Sequence, residues 1–194
     1  IAEHALVSRK SEEASNYFNK VLEFEPNNYQ AWIGKGYAVF LSSTLANPRM
    51  IEMGALFEKA FKLAPVDKKS DAITEIKRKT LTASATLFDM AKSHFDRFKG
   101  TGDAFDTSTY DDFHRNCVMI IMTIDKILDL SKSNRLLNAE LCDFGIKILN
   151  SSTTFKFSYK NQKIQEYKNR KKSDKNWLIN EERKEKNRQQ KKYW

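Results

Sequence analysis

An all-α fold is predicted for this sequence by three observations. Apolar residues recur at three- and four-residue steps along most of the chain, the period of a helix with one buried face. Only 6 Gly and 3 Pro occur in 194 residues, too few turn-formers for a sandwich or barrel with many tight turns. Turn signals, where present, fall between segments of helical length. A hydrophobic share of 40% is enough for a sizeable core.

The elements follow in order. Residues 1–9 read as the end of a helix. Residues 11–24 form a second, with Ala14, Tyr17, Phe18, Val21 and Leu22 on one face. Pro26 stops it and Asn27-Asn28 make the turn. Residues 29–43 are a third helix, carrying Trp32, Gly36, Tyr37, Val39 and Phe40. Asn47-Pro48 predicts a restart, Asn as cap and Pro in the first helical position. That helix runs to about Leu63 and ends before Pro65. A long helix is expected over residues 67–98, with Ile73, Ile76, Leu81, Leu87, Met90, Ala91, Phe95 and Phe98 on its stripe. Gly100 would close it, because glycine takes the left-handed geometry of a helix end. Ser108 and Asp111 have the spacing of a capping box. The helix that follows, to about Leu130, is apolar on most sides, which predicts burial between neighbours. Ser133 or Asn134 caps a further helix through Leu137, Leu141, Phe144, Ile148 and Leu149. Residues 151–154 are a break, and beyond them the chain turns basic.

Two stretches share a spacing. Ala14, Phe18, Val21 and Pro26 are separated as Met53, Phe57, Ala60 and Pro65 are. This resembles the second half of a tetratricopeptide repeat, and Trp32 and Gly36 fall where that family places its Trp and Gly. The stretch from Tyr29 to Pro65 then reads as one repeat with about five extra residues in its hairpin loop. Lys35, Val39 and Met53 depart from the family preference for Leu, Tyr and Ala. The likeness extends to bacterial repeat proteins of unassigned function. It implies helical hairpins over 1–65; past Pro65 the pattern is lost, and the longer helices read as a bundle over 66–154 packed on the repeat, followed by a basic helical extension or tail over 155–194. It also implies that Gln30, Ile33, Tyr37 and Leu41 point into a concave groove that takes a protein or peptide. With fewer than three repeats, later helices covering that face are the other outcome.

Charge divides the chain sharply. The net charge is +9. Residues 155–194 hold 14 Lys/Arg against 5 Asp/Glu, which leaves 20 of each in residues 1–154. Any electrostatic partner is therefore sought at the C-terminal segment. There Lys168, Arg170, Lys171, Lys172 and Lys175, with Tyr167 and Trp177 interleaved, could meet a nucleic acid through phosphate pairing and base stacking. An anionic membrane surface is a second partner for the same charges. A solvated helix leading into a coiled coil, with Trp177, Leu178 and Ile179 docked on the body, is the structural alternative.

Catalytic chemistry finds no support. Cys117 and Cys142 sit inside apolar patterns with no C-x-x-C, and read as buried reduced thiols. His114 beside Asp111 and Asp112 is the one suggestive metal group, but capping and surface pairing account for the aspartates. Lys99-Gly100-Thr101-Gly102 follows a helix and lacks the ending of a phosphate loop. No cofactor, metal or enzyme activity is expected. There is no apolar run long enough to span a bilayer and no secretory signal, so a cytoplasmic setting is expected. Opening on Ile1, the chain reads as part of a longer protein. The functions that follow are a protein interaction module or scaffold, a nucleic-acid or anionic-surface binder, or a self-assembling helical protein.

Overall fold

In the computed structural model, residues 11–98, 107–152 and 155–191 are described, and all their regular structure is helical. The helices are α1 (Ser11–Phe24), α2 (Tyr29–Leu41), α3 (Met50–Leu63), α4 (Lys69–Phe98), α5 (Thr107–Leu130), α6 (Arg135–Ser151) and α7 (Phe157–Lys191). A short 3₁₀ turn, Val66–Lys68, leads into α4. The expected helix end over residues 1–9 and the closing Gly100 lie outside the described residues.

The first turn is built as its residues predict. Asn28 caps α2, its side chain accepting from the Ala31 amide at 3.0 Å. Trp32 Nε1 donates to the Pro26 carbonyl at 2.8 Å and ties the turn to the helix after it. The next restart differs from expectation. Asn47 closes the loop on Thr44, its amide donating to Thr44 Oγ1 and its carbonyl accepting from the Thr44 amide. Asn47 sits in this loop rather than at the cap, Pro48 is buried, and α3 starts only at Met50, with Arg49 at the cap position. Ser108 likewise lies inside α5 rather than ahead of it.

Two glycines one residue apart bring three helices together. On a helix, residues two apart face nearly opposite ways. A Cβ on Gly34 would lie 2.1 Å from Phe18 Cζ of α1, and one on Gly36 would lie 2.8 Å from Phe57 Cε1 of α3. α2 is thus flanked by a phenylalanine on each side, each seated where a side chain is missing. Trp32, at the family's Trp position, is only partly buried. Lys59 of α3 lies 3.6 Å from its ring centroid.

α5 is the centre of the bundle. Phe113, Cys117, Ile120, Ile121, Ile124, Ile127 and Leu128 are buried, and the helix packs on α3, α4 and α6. A single core runs from Ile33 through α3, α4, α5 and α6 to Tyr167 of α7, so it crosses both boundaries drawn from the sequence. On α4 the expected stripe holds in part, with Ile73, Ile76, Leu87 and Ala91 buried. Met90 and Phe98 are about half exposed, while Lys77, Thr80 and Ser84 are inside. Thr80 is tolerated because its hydroxyl donates to the Ile76 carbonyl at 2.8 Å.

α7 is 35 residues long, about 52 Å, against 17 residues for its neighbour α6. Its first part is built into the body. Tyr167 has no exposed surface and donates its hydroxyl to Asp125 Oδ1 of α5 at 2.9 Å. The ring fits against α6 only because residue 145 is glycine, where a Cβ would lie 2.3 Å from Tyr167 Cε2. Ion pairs continue the seam: Lys163 to Asp125 at 2.7 Å, Arg170 to Asp129 at 2.8 Å and Lys171 to Asp143. α6 begins at Arg135, level with Asp174 and Trp177, so α7 runs on past the start of α6.

Tyr167 is held at its ring and at its hydroxyl, so it cannot swing aside. Gly145→Ala is expected to lower stability by about 1–3 kcal/mol through overpacking, although alanine favours a helix by about 1 kcal/mol. Gly34→Ala meets only the free end of the Phe18 ring and should cost less. Urea unfolding of both variants followed by circular dichroism checks the order; equal effects would show that the Tyr167 clamp is not rigid.

Candidate interaction site at the turn between α5 and α6

Residues 131–134 connect the central helix α5 to α6, and three separate devices hold them. The first is a buried cation. Lys77 falls on the inner stripe of α4, and its ammonium donates to the carbonyls of Ser131 at 2.8 Å and Ser133 at 2.5 Å. It closes the turn from inside, supplying donors to carbonyls that no helix amide reaches. Burial pushes its pKa down to about 8, partly offset by Asp174. The second device is Asn134, which has φ 54°, the left-handed region a non-glycine residue rarely takes. Its side chain accepts from the Leu137 amide at 3.2 Å, capping α6, and donates to Thr74 Oγ1 at 3.1 Å. The third is Asn138, 5% exposed, whose Nδ2 donates to the Lys132 carbonyl at 3.3 Å. Its Oδ1 is buried without a partner.

On this fixed turn stand groups that face solvent. Leu136 is 62% exposed and Trp177 44%. The Arg135 guanidinium lies 4.4 Å from the Trp177 ring centroid and donates to Asp174 Oδ1 at 3.0 Å. Leu136, Trp177, Lys132, Ser133, Asn134 and Arg135 line a cleft of about 540 Å³. A second, more polar cleft of about 480 Å³ adjoins it, sharing Lys132 and Arg135 and including Asn138, Arg170 and Asp174. The corner carries the cations Lys77, Lys132 and Arg135 against the carboxylate of Asp174, and the first turn of α6 has no acidic residue. A positive helix N-terminus adds to the same sign.

The residues picked from the sequence are placed differently. Ile33 has no exposed surface and belongs to the core, so it lines no open groove. Tyr37 and Leu41 are half-buried against that core, and Lys79 of α4 lies 4.7 Å from the Tyr37 ring centroid. Of the four, only Gln30 is exposed. The face is covered because α4 packs on α2. Among the C-terminal cations, Arg170 and Lys171 are held in ion pairs with the body, while Lys168, Lys172 and Lys175 are exposed. Tyr167 is buried and cannot stack on a base. At about 100° per residue, Lys168, Lys172 and Lys175 share one strip of α7, with Trp177 roughly on the opposite side. The interleaving seen in the sequence therefore does not put aromatics and lysines on one surface.

Lys77 and Leu136 were missed. Each had a signal: Lys77 is a charge on an apolar stripe, and Leu136 is the member of a Leu-Leu pair that falls off its stripe. His114 lies edge-on to Phe155, with centroids 4.9 Å apart, and Asp112 pairs with Arg115 at 2.7 Å. Among the described residues no group of three His, Cys, Asp or Glu could hold a metal ion, and no helix is long and apolar enough to cross a membrane.

Lys77→Met should destabilise the fold by about 1–3 kcal/mol at pH 7, since two turn carbonyls lose their donors. With the folded pKa at about 8 and a usual value of 10.5, the unfolded chain binds more protons between those limits. The native protein therefore gains stability from Lys77 as pH rises through that window, and the gap between wild type and Lys77→Met widens. Denaturant titrations at pH 7 and pH 10 measure this; a constant gap would contradict the buried ammonium. Cys117 and Cys142 are buried free thiols, and burial raises both pKa values to about 12. A thiol reagent should leave the native protein unmodified at pH 8 and label both residues on unfolding, as read by mass spectrometry.

Comparison with protein-family models, curated proteins and solved structures finds no match to this chain.

Proposed function

We propose that this protein is a protein–protein interaction module, a helical scaffold with hairpins of tetratricopeptide type at its start. The corner at α5 and α6 carries the reading. An exposed leucine and an exposed tryptophan stand beside a turn held by a buried lysine and a left-handed asparagine. Exposed apolar groups on a rigid support suit a partner, because little conformational freedom is lost on binding. The tetratricopeptide reading is supported by the burial of Ala14, Phe18, Met53, Phe57 and Ala60, five of the eight residues of the shared spacing; Val21 and the two prolines are exposed. With Ile33 in the core, the module works through its outer corner rather than through a groove lined by α2.

A second reading rests on the exposed strip of Lys168, Lys172 and Lys175, which could follow a nucleic-acid backbone. It requires binding that weakens steeply with salt and is lost in the triple Lys→Gln variant.

A photo-crosslinking residue at position 136 tests the module reading in cells, with position 90 as control. Met90 is also exposed and lies on α4, about 24 Å along the helix from Thr74, which touches the corner. Protein adducts are expected from position 136 and not from 90. No adducts from 136, or the same adducts from both, would remove the corner as the interaction surface, and adducts to nucleic acid alone would favour the lysine strip.

A further inference from the structure

We infer that the partner at this corner is an acidic peptide segment carrying one large apolar residue. The inference rests on the module reading and names the chemistry of its ligand. The apolar residue would enter the cleft of about 540 Å³ between Leu136 and Trp177, and the neighbouring carboxylates would face Lys132, Arg135 and the start of α6.

Charge decides the sign of the partner. Lys132 and Arg135 are the cations that line both clefts, Lys77 adds its charge from beneath the turn, and Asp174, paired with Arg135, is the carboxylate beside them. Asp129, at the rim of the adjoining cleft, is paired with Arg170. No acidic residue occupies the first turn of α6, where one would normally offset the helix dipole. Asn134 already takes the Leu137 and Asn138 amides, so the start of α6 acts on a carboxylate through its dipole. A cationic segment would meet this excess of like charge, while an acidic one relieves it.

The walls decide between a peptide and a nucleic acid. Leu136 is aliphatic and 62% exposed, a wall that fits a side chain better than a base. One approach to the Trp177 ring is already taken by Arg135. The lysines that could follow a phosphate backbone lie on the other side of α7, about 140–200° around the helix from Trp177. A strand bound across Trp177 would thus miss Lys168, Lys172 and Lys175. A short peptide needs only the groups within the corner.

The floor is prepared for such a ligand. Residues 131–134 keep their shape through Lys77, Asn134 and Asn138, so the spacing between Lys132, Leu136 and Trp177 is set before anything binds. Binding then orders the peptide and not the protein.

The test uses the full chain and synthetic twelve-residue peptides. One set alternates Asp/Glu with Ser and carries a central Leu or Phe. A second replaces every Asp/Glu by Asn/Gln, a third replaces the Leu or Phe by Ser, and a twelve-nucleotide oligothymidylate is the remaining probe. Binding is read by Trp fluorescence and amide chemical shifts at 50 and 300 mM NaCl. The acidic apolar peptides are expected to bind, and to weaken roughly tenfold at the higher salt. Leu136→Ser and Lys132→Glu should each weaken them by roughly tenfold or more, with unchanged circular dichroism because both residues are exposed. Equal binding by the neutral peptides, indifference to both variants, binding of the oligonucleotide alone, or no binding would each overturn the inference. The two readings fail separately. Adducts from position 136 whose partner segment is neutral or basic would leave the module and remove the acidic ligand.

Discussion

The buried ammonium of Lys77 is the contact from which the C-terminal half of the structure follows. It reaches from α4 to two carbonyls of the turn that follows the central helix, and so sets the path of the chain out of α5. Asn134 can then cap α6 from a left-handed backbone, because Thr74, one turn earlier on α4, receives its amide. The start of α6 fixes Arg135, which seats α7 through Asp174 and Trp177. Burying a lone lysine is costly in itself, and it is tolerated here only because carbonyl dipoles and Asp174 surround the charge.

The basic C-terminal helix and the neutral body are two parts of one electrostatic arrangement. Asp125, Asp129 and Asp143 lie on α5 and α6 where α7 lies down, and they meet Lys163, Arg170 and Lys171. Pairs of this kind, partly exposed, contribute little stability each, but they orient a helix whose inward face is otherwise poor in apolar groups. The specific packing comes from Tyr167, pressed on Gly145 and bonded to Asp125. Excess charge is left on the opposite strip, at Lys168, Lys172 and Lys175. A net charge of +9 thus overstates what the helix offers to outside partners.

In the hairpins, packing is governed by missing side chains. Gly34 and Gly36 let α1 and α3 close on α2 from two sides, with Phe18 and Phe57 as the inserted groups. The role of Gly36 could be read from the repeat spacing, while that of Gly34 could not, because the spacing says nothing about the helix on the other side. The same limit explains the groove. Helix positions alone say that Ile33, Tyr37 and Leu41 share a face with Gln30. Whether water or α4 lies against that face depends on contacts between segments far apart in the chain.

By itself the sequence determined the helical class, the stops at Pro26 and Pro65, the turn at Asn27-Asn28, a cap at Ser133 or Asn134, the burial of both cysteines, and the separation of charge at residue 155. These are local properties: period, backbone restriction, and side chains bonding to nearby amides. Tertiary structure alone decided that Lys77 is inside and Leu136 outside, that Asn47 closes a loop, and that Tyr167 and Trp177 serve different surfaces. Each of these depends on which helix packs against which, and the free energy of burial is settled by neighbours that one helical period cannot reveal.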